Sequence, residues 1–384
     1  MNKEGGLSHK LHGLDHLRAF AIIYVLLFHY GVLFPHPQWT ETIGKFGWTG
    51  VDLFFVLSGY LIASQLFKEI ATSNKLLVKE FFIKRFFRII PIYLFVVAIY
   101  FLFPFTHERE ALAPLWKYLT FTQNIGLNVQ TQGTFSHAWS LCIEEQFYLF
   151  LPLILISALH FNINKKAYWL LFALFVFGFF IRAFCYNHFV VPAGDNSWVP
   201  WYKYIYYATW SRLDGLLVGV SIAALLQFKQ KTSGKILQHG NKILIIAILI
   251  FIVAYFLLGD DESFNASVFG FPLVDIGYGF VVLAALSPKC FLYKYESKIT
   301  TKIATLSYGI YLIHKIVIHI TQTQFSKLNL HNDSSMMFII CMITVAIMSL
   351  TTNAIIEKPF LKLRKKILSK KKVEKNEIAE VVVQ

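Results

Sequence analysis

Long apolar blocks separated by short polar loops are the feature of this chain that most constrains its fold. Each block has about 17–22 residues, enough to cross a bilayer as an α-helix. A helix satisfies its own backbone hydrogen bonds, as a lipid environment requires. The sequence therefore predicts an all-α polytopic membrane protein with about ten transmembrane helices, at 14–35, 50–67, 88–105, 138–157, 167–185, 208–228, 243–259, 268–287, 303–321 and 336–356.

The composition supports the same class of protein. Hydrophobic residues occupy 56% of the 384 positions and charged residues only 15%, whereas a soluble domain carries about 25% charged residues. The 4 cysteines lie in or beside apolar blocks without a paired spacing, so the sequence predicts neither a disulfide framework nor a metal site. The first block has full length and no small-residue cleavage site after it, which argues against a cleavable signal peptide.

Basic residues set the predicted orientation. The formal net charge is +14, and most of the 36 Lys and Arg residues lie in the N-terminal segment and in the alternate loops 68–88, 165–166, 229–242, 289–302 and 358–375. Positive loops favour the cytoplasm, so we predict that both termini are cytoplasmic. Because the charge is dispersed over helix ends, nucleic-acid binding is disfavoured. The predicted organisation is a cytoplasmic N-terminus at 1–13, a membrane domain at 14–360 and a basic cytoplasmic tail at 361–384 that contacts membrane lipid.

Arg18 and His29 in the first block share one face of the predicted helix. Eleven steps of 100° return to within about 20° of the starting direction, roughly 16 Å further along the axis. An ionisable side chain at membrane depth usually faces the protein interior because it has a function there. The alternatives are that Arg18 snorkels to the surface and that a neighbouring hydroxyl satisfies His29.

The fourth block carries a second polar stripe. Ser140, Glu144 and Tyr148 are spaced four residues apart and share a helix face, and Glu145 follows Glu144. Counted from the outer boundary, Glu144 and His29 lie at the same depth of about 9 Å, which permits a contact between them. A carboxylate beside an imidazole fixes its tautomer and raises its basicity, as a general base requires. A polar network that merely joins two helices is the alternative.

The sixth block adds Arg212 and Asp214 near the same boundary. These two residues are expected to pair with each other, or Arg212 to balance Glu144 or Glu145. The outer halves of the first, fourth and sixth blocks are therefore expected to converge on one polar site.

Single polar residues mark three other blocks. Asp52 opens the second block, and Ser58 with Gly59 lies near its middle, where small residues favour close helix packing or a break that admits a ligand. Asp275 in the eighth block and His314 in the ninth are further ionisable groups at membrane depth.

Arg85 and Arg88 open the third block on the predicted cytoplasmic side. Guanidinium groups near a helix N-terminus favour phosphate, so an anionic phosphorylated cosubstrate would bind there. Anchoring on lipid headgroups is the alternative.

Taken together, these residues resemble the integral-membrane acyltransferase-3 family, which includes the O-acetyltransferases of bacterial surface polysaccharides. His16 stands where that family usually has glycine. No fused extracellular hydrolase-like domain, which often follows in the family, is expected here, so the acceptor would reach the membrane site directly or a separate protein would complete the transfer. In chain order, the resemblance is carried by Leu14–Ala19 with His29, Asp52–Tyr60, Lys84–Pro91, Trp139–Tyr148, Arg212–Gly215, Leu306–His314 and Glu357–Phe360.

The resemblance implies a membrane O-acyltransferase of the cell inner membrane. It would move an acyl group, most often acetyl, from cytosolic acyl-CoA to a hydroxyl of an extracytoplasmic glycan such as exopolysaccharide or O-antigen. Acetyl-CoA would be a cosubstrate, with no bound cofactor and no metal. The implied partners are membrane lipid, acyl-CoA, the glycan acceptor and polysaccharide-biosynthesis proteins.

Roles follow for the residues named above. His29 and Glu144 would be catalytic, His29 as a general base or a transient acyl carrier and Glu144 as the group that orients it. Arg18, Arg85 and Arg88 would bind the donor. The supporting residues would be Asp52, Ser58, Ser140, Glu145, Tyr148, Arg212, Asp214 and His314.

Two other functions compete with this one. A transporter or flippase for a lipid-linked sugar or a small solute also places ionisable residues at mid-depth, but it predicts inverted repeats and broken helices in matching halves, which the sequence lacks. A non-catalytic subunit of a polysaccharide-secretion complex is disfavoured by the presence of both His29 and Glu144.

Overall fold

The fold is that of an all-α polytopic membrane protein, as predicted. The structure is a computed structural model that describes residues 12–73, 75–161 and 167–369. Within these ranges there is no strand, and nine helices are long and apolar enough to cross a membrane. The remaining predicted block, 208–228, contains a shorter helix of 15 residues, Asp214–Phe228. Most of the predicted N-terminal segment 1–13 and of the tail 361–384 lies outside the described residues.

Each predicted block contains one principal helix, and we number these helices in chain order. The last of them continues through a π-helical turn at Asn353–Glu357 to Ser369. The bounds are α1 His12–Leu33, α2 Gly50–Ser73, α3 Val78–Leu102, α4 Trp139–His160, α5 Ala167–Cys185, α6 Asp214–Phe228, α7 Gly240–Leu257, α8 Phe271–Leu286, α9 Lys298–Ser326 and α10 Ser335–Thr352. Short helices in the connections are Gln38–Gly44, Leu115–Leu119, Trp198–Trp201, Gln230–Leu237 and Phe291–Lys294.

The chain forms two compact units. Among the described residues, unit 1 comprises 12–25, 46–67 and 167–307, and unit 2 comprises 26–45, 68–161 without residue 74, and 308–369. Helices α1, α2 and α9 contribute residues to both units. Each unit holds its own cluster of buried charged or polar side chains.

In unit 1, α2 and α6 pack with their backbones in close approach. A Cβ added at Gly59 would overlap the backbone of Leu216, and one added at Gly219 would overlap the backbone of Val56. Such contacts are possible only for glycine, which is how helices pack closely in membranes. The predicted close packing at Gly59 is therefore confirmed.

In unit 2, a stack of aromatic rings packs the connection between α3 and α4. Phe135 is fully buried and stacks on Tyr100 and Tyr118, with ring centroids 4.5 and 5.5 Å apart. Its backbone has a φ of +54°, which is uncommon for a residue other than glycine. The connection is thus built around a fixed aromatic core, and it carries His137 to the start of α4.

Candidate active site

Three histidine rings meet in unit 2. His29 of α1 and His314 of α9 share a hydrogen bond between Nδ1 and Nε2, 2.8 Å apart. The ring of His137 lies edge-on, with its centroid 5.8 Å from that of His29 and 5.1 Å from that of His314. His137 and His314 are buried, whereas His29 is partly exposed. Sequence reasoning missed His137 because it precedes the fourth block by one residue.

The backbone of α9 determines which ring nitrogens carry protons. His314 Nδ1 lies 3.0 Å from the carbonyl oxygen of Ile310 and 2.8 Å from that of Tyr311. A carbonyl oxygen only accepts, so Nδ1 of His314 must be the protonated nitrogen and its Nε2 the acceptor. We therefore assign the proton of the His29–His314 bond to Nδ1 of His29. That leaves Nε2 of His29 with a lone pair, as a general base or nucleophile requires.

The predicted contact between His29 and Glu144 is not formed: His29 hydrogen-bonds His314, and Ser140 of α4 hydrogen-bonds Tyr311 of α9. The Tyr311 hydroxyl lies 2.7 Å from the carbonyl oxygen of His137 and 2.7 Å from the Ser140 hydroxyl. Glu144 lies one helical turn beyond Ser140, where it accepts a hydrogen bond of 2.6 Å from the hydroxyl of Tyr148. The hydrogen-bond partner of His29 is thus His314, a residue predicted only in a supporting role.

A buried ion pair lies beside the histidines. Lys315 follows His314 in α9, and its Nζ is 3.7 Å from Oε1 of Glu108, with 2% of the lysine side chain and 0% of the glutamate side chain exposed. The same oxygen accepts a 3.1 Å hydrogen bond from the backbone N–H of Phe135. The charge of Lys315 acts on both His29 and His137. Neither member of the pair was predicted, although a lysine inside the block 303–321 was the available signal.

Arg85 forms a second cluster in unit 2 with three other predicted residues, Glu144, Glu145 and Tyr148. Its guanidinium lies over the ring of Tyr148, 5.6 Å from the centroid, and over that of Phe81 at 5.9 Å. The charges of Glu144 and Glu145 act on it. Arg85 Nε is buried and has no hydrogen-bond partner among the described residues. Glu144 and Tyr148 therefore group with the predicted donor-binding arginines.

The continuation of α10 supplies a third arginine to this cluster. Arg364 Nη1 lies 3.4 Å from the backbone oxygen of Lys84, and its charge acts on Arg85 and Arg88. Glu357 is the nearby carboxylate that acts on Arg88. Sequence reasoning missed Arg364 because it assigned this basic segment to a cytoplasmic tail.

Unit 1 contains a separate buried charge cluster. Arg212 Nη2 donates to Asp52 Oδ1 at 2.6 Å, and Arg182 pairs with Asp214. Oδ1 of Asp275 is buried and lacks a hydrogen-bond partner among the described residues. The predicted pairing of Arg212 with Asp214 is thus corrected: the partner of Arg212 is Asp52, because Arg182 on α5 takes Asp214.

The remaining predicted residues are Arg18 and Ser58, which are half-buried in unit 1. Arg18 and His29 do lie on one helix, α1, as predicted. His16, which replaces the usual glycine, hydrogen-bonds Thr300 and the backbone oxygen of Tyr295, each at 2.7 Å. Within the described residues, no group of three or more His, Cys, Asp or Glu side chains could hold a metal ion.

Comparison with known proteins agrees with the resemblance. The sequence profile described as an acyltransferase domain matches residues 11–353. O-acetyltransferase OatA of Staphylococcus aureus strain NCTC 8325 / PS 47 is 32% identical over 329 residues, which cover 80% of this chain and 50% of that protein. "Putative O-acetyltransferase SACOL0978" of S. aureus strain COL is 30% identical over 342 residues, covering 83% of this chain and 53% of that protein.

The chain thus spans about half the length of the curated relatives it matches. No solved structure shows a significant match. The family profile nevertheless covers the three histidines, the ion pair of Lys315 with Glu108, and both Arg85 and Arg88. Because the profile matches most of its length, the chain belongs to the acyltransferase-3 family.

Proposed function

We propose that this membrane protein transfers an acyl group, most often acetyl, from cytosolic acyl-CoA to a hydroxyl of an extracytoplasmic glycan. The observation that carries the proposal is the 2.8 Å bond from His29 to His314, which leaves a lone pair on Nε2 of the partly exposed His29. The names of two relatives, O-acetyltransferase OatA and "Putative O-acetyltransferase SACOL0978", support an acetyl group and an oxygen acceptor. An enzyme that joins a cytosolic donor to an external acceptor belongs in the inner membrane.

The reaction proceeds at Nε2 of His29. This nitrogen takes the proton of the acceptor hydroxyl, and the oxygen attacks the carbonyl carbon of the thioester. The tetrahedral adduct then expels the CoA sulfur, which takes the proton back from Nε2. His314 accepts the Nδ1–H of His29 throughout, so it orients the ring and stabilises the imidazolium, the role that the sequence had assigned to Glu144.

The arginine cluster is the proposed donor site. Guanidinium forks bind phosphate oxygens in pairs, and the buried, unpartnered Nε of Arg85 is a donor suited to such a ligand. Arg88 and Arg364 add two further positive charges. Arg18 remains a predicted donor-side residue.

Helix α4 links the donor site to the histidines within unit 2. From Tyr148, beside Arg85, to His137, beside His29, the chain advances about 16 Å along the helix axis. The flexible pantetheine arm of CoA would bridge this distance, past Glu144 and Ser140. By the positive-inside rule the arginine end faces the cytoplasm, so the thioester would arrive beside His29 from the donor side.

The test uses the purified full chain in proteoliposomes, with radiolabelled acetyl-CoA and base-deacetylated envelope glycan as the acceptor. We expect the wild-type protein to place base-labile label on the glycan. His29→Ala should lower the rate of acetyl transfer by about 10²- to 10⁴-fold, and Arg85→Ala should raise the KM for acetyl-CoA. Size-exclusion profiles of the variants control for folding. Uptake of a lipid-linked sugar without acetyl transfer would overturn the proposal in favour of a transporter.

A further inference from the structure

Lys315 is a buried cation whose charge acts on all three histidines. It directly follows His314 in α9. An ammonium group in a transmembrane helix is costly, and its presence usually marks a functional site. Neither the comparisons nor the proposed reaction assigns this lysine a role.

The partner of Lys315 balances its charge and engages at most one of its N–H groups, since the other oxygen of Glu108, Oε2, has no hydrogen-bond partner among the described residues. Nζ and Oε1 of Glu108 are 3.7 Å apart, whereas charge-assisted N–H···O bonds are about 2.7–2.9 Å long. Oε1 is also engaged by the backbone N–H of Phe135 at 3.1 Å. An ammonium carries three N–H donors, so Lys315 can donate to a ligand while Glu108 holds its charge in place.

We propose that Lys315 is the residue that stabilises the oxyanion of the acyl transfer, and that Glu108 positions it; this inference rests on the proposed function. When the acceptor oxygen bonds to the thioester carbon, the carbonyl electron pair moves onto the carbonyl oxygen, which accepts an N–H from Lys315. When the C–S bond breaks, that pair re-forms the C=O bond and the sulfur takes the proton held by His29. Preorganised donors of this kind supply much of the rate enhancement in acyl transfer.

The tautomers assigned above exclude His29 and His314 as donors to the oxyanion. His29 presents a lone pair toward the substrates, so it cannot also donate to the oxyanion. Both nitrogens of His314 are engaged, one by His29 and the other by backbone carbonyls of α9. Lys315, next in the chain, supplies both a donor and the positive charge that balances the oxyanion, whereas a neutral His137 ring would supply a donor without the charge.

The experiment compares Lys315→Met, Lys315→Arg and the double variant Glu108→Gln/Lys315→Met in the acetyl-transfer assay. We expect Lys315→Met to lower kcat by about 10²- to 10³-fold with an unchanged KM for acetyl-CoA, and Lys315→Arg to retain more activity because it keeps donors and charge. The double variant removes the buried charge together with its partner, so it should melt close to the wild type and yet stay inactive.

Three outcomes overturn the inference. A double variant with wild-type kcat would show that the pair only stabilises the fold, and wild-type kcat in Lys315→Met would show that no cation is required. A rise in the KM for acetyl-CoA at constant kcat would place Lys315 in donor binding. If the wild-type protein itself transfers no acetyl group, the proposed function fails. That result differs from the three above, in each of which the wild-type protein is active.

Discussion

Replacing His314 tests the proposed mechanism most directly. The bond between two neutral rings contributes about 0.5–1.5 kcal/mol, but after His29 takes the proton the bond is charge-assisted and contributes about 1.5–3 kcal/mol. The difference of about 1–1.5 kcal/mol is gained only in the transition state, so it appears in kcat. We therefore expect His314→Leu to lower kcat roughly 5- to 15-fold with little change in either KM.

The matched control is His314→Gln, whose amide oxygen can still accept the Nδ1–H of His29. Initial rates are measured with labelled acetyl-CoA and deacetylated envelope glycan, alongside thermal melting to confirm that both variants are folded. His314→Gln should stay within about threefold of the wild type, since it keeps an acceptor at this position. Equal losses in the two variants, or full activity in His314→Leu, would refute the assignment of the bond and of the tautomers.

Two further predictions concern the donor site and the fold. Arg364→Ala should raise the KM for acetyl-CoA roughly 10- to 100-fold, because it removes a charge-assisted contact with phosphate. Lys362 is exposed, so Lys362→Ala should leave this KM unchanged. Equal KM values for the two variants in steady-state kinetics would remove Arg364 from the donor site. Gly219→Ala should destabilise the protein by about 1–3 kcal/mol, because its Cβ would overlap backbone atoms. Gly234→Ala, in the helix Gln230–Leu237 with open space around it, should instead leave the stability unchanged or raise it by up to about 1 kcal/mol. A melting temperature that does not fall in Gly219→Ala would contradict the close approach of α2 and α6.

The positions of the helices were predictable because bilayer crossing is a local property of the sequence. The block 14–35 corresponds to α1 at His12–Leu33, and 336–356 to α10 at Ser335–Thr352. The observed helix boundaries differ from the predicted ones where polar residues extend a helix or where a turn interrupts it. Helix α3 begins at Val78, ten residues before its predicted block, because the basic residues around Arg85 are helical as well. Helix α6 begins only at Asp214, since a 3₁₀ turn at Thr209–Ser211 precedes it.

The partners of the site residues were much less predictable. His29 was identified by its depth, but its hydrogen-bond partner lies 285 positions away in the chain. Depth along a helix does not specify which neighbour faces it, so Glu144 was assigned to the histidines and the structure groups it with Tyr148 and Arg85. The pairing of Arg212 with Asp52, 160 positions apart, was missed for the same reason. Helix packing decides such contacts, and a single sequence does not encode it in any local pattern.

The backbone carbonyls of α9 fix the tautomer of His314, which in turn occupies Nδ1 of His29. Nε2 is therefore the one nitrogen of His29 that can take up a proton. As a general base, His29 must accept the hydroxyl proton and return it to the sulfur through that same atom, so attacking and leaving groups approach one edge of the ring. Both substrates must then be bound together before CoA can depart. Double-reciprocal plots at several acceptor concentrations would intersect, whereas an acyl group carried on the imidazole would give the parallel lines of ping-pong kinetics. Two peptide carbonyls of α9 thus confine both proton transfers of the general-base reaction to a single nitrogen of His29.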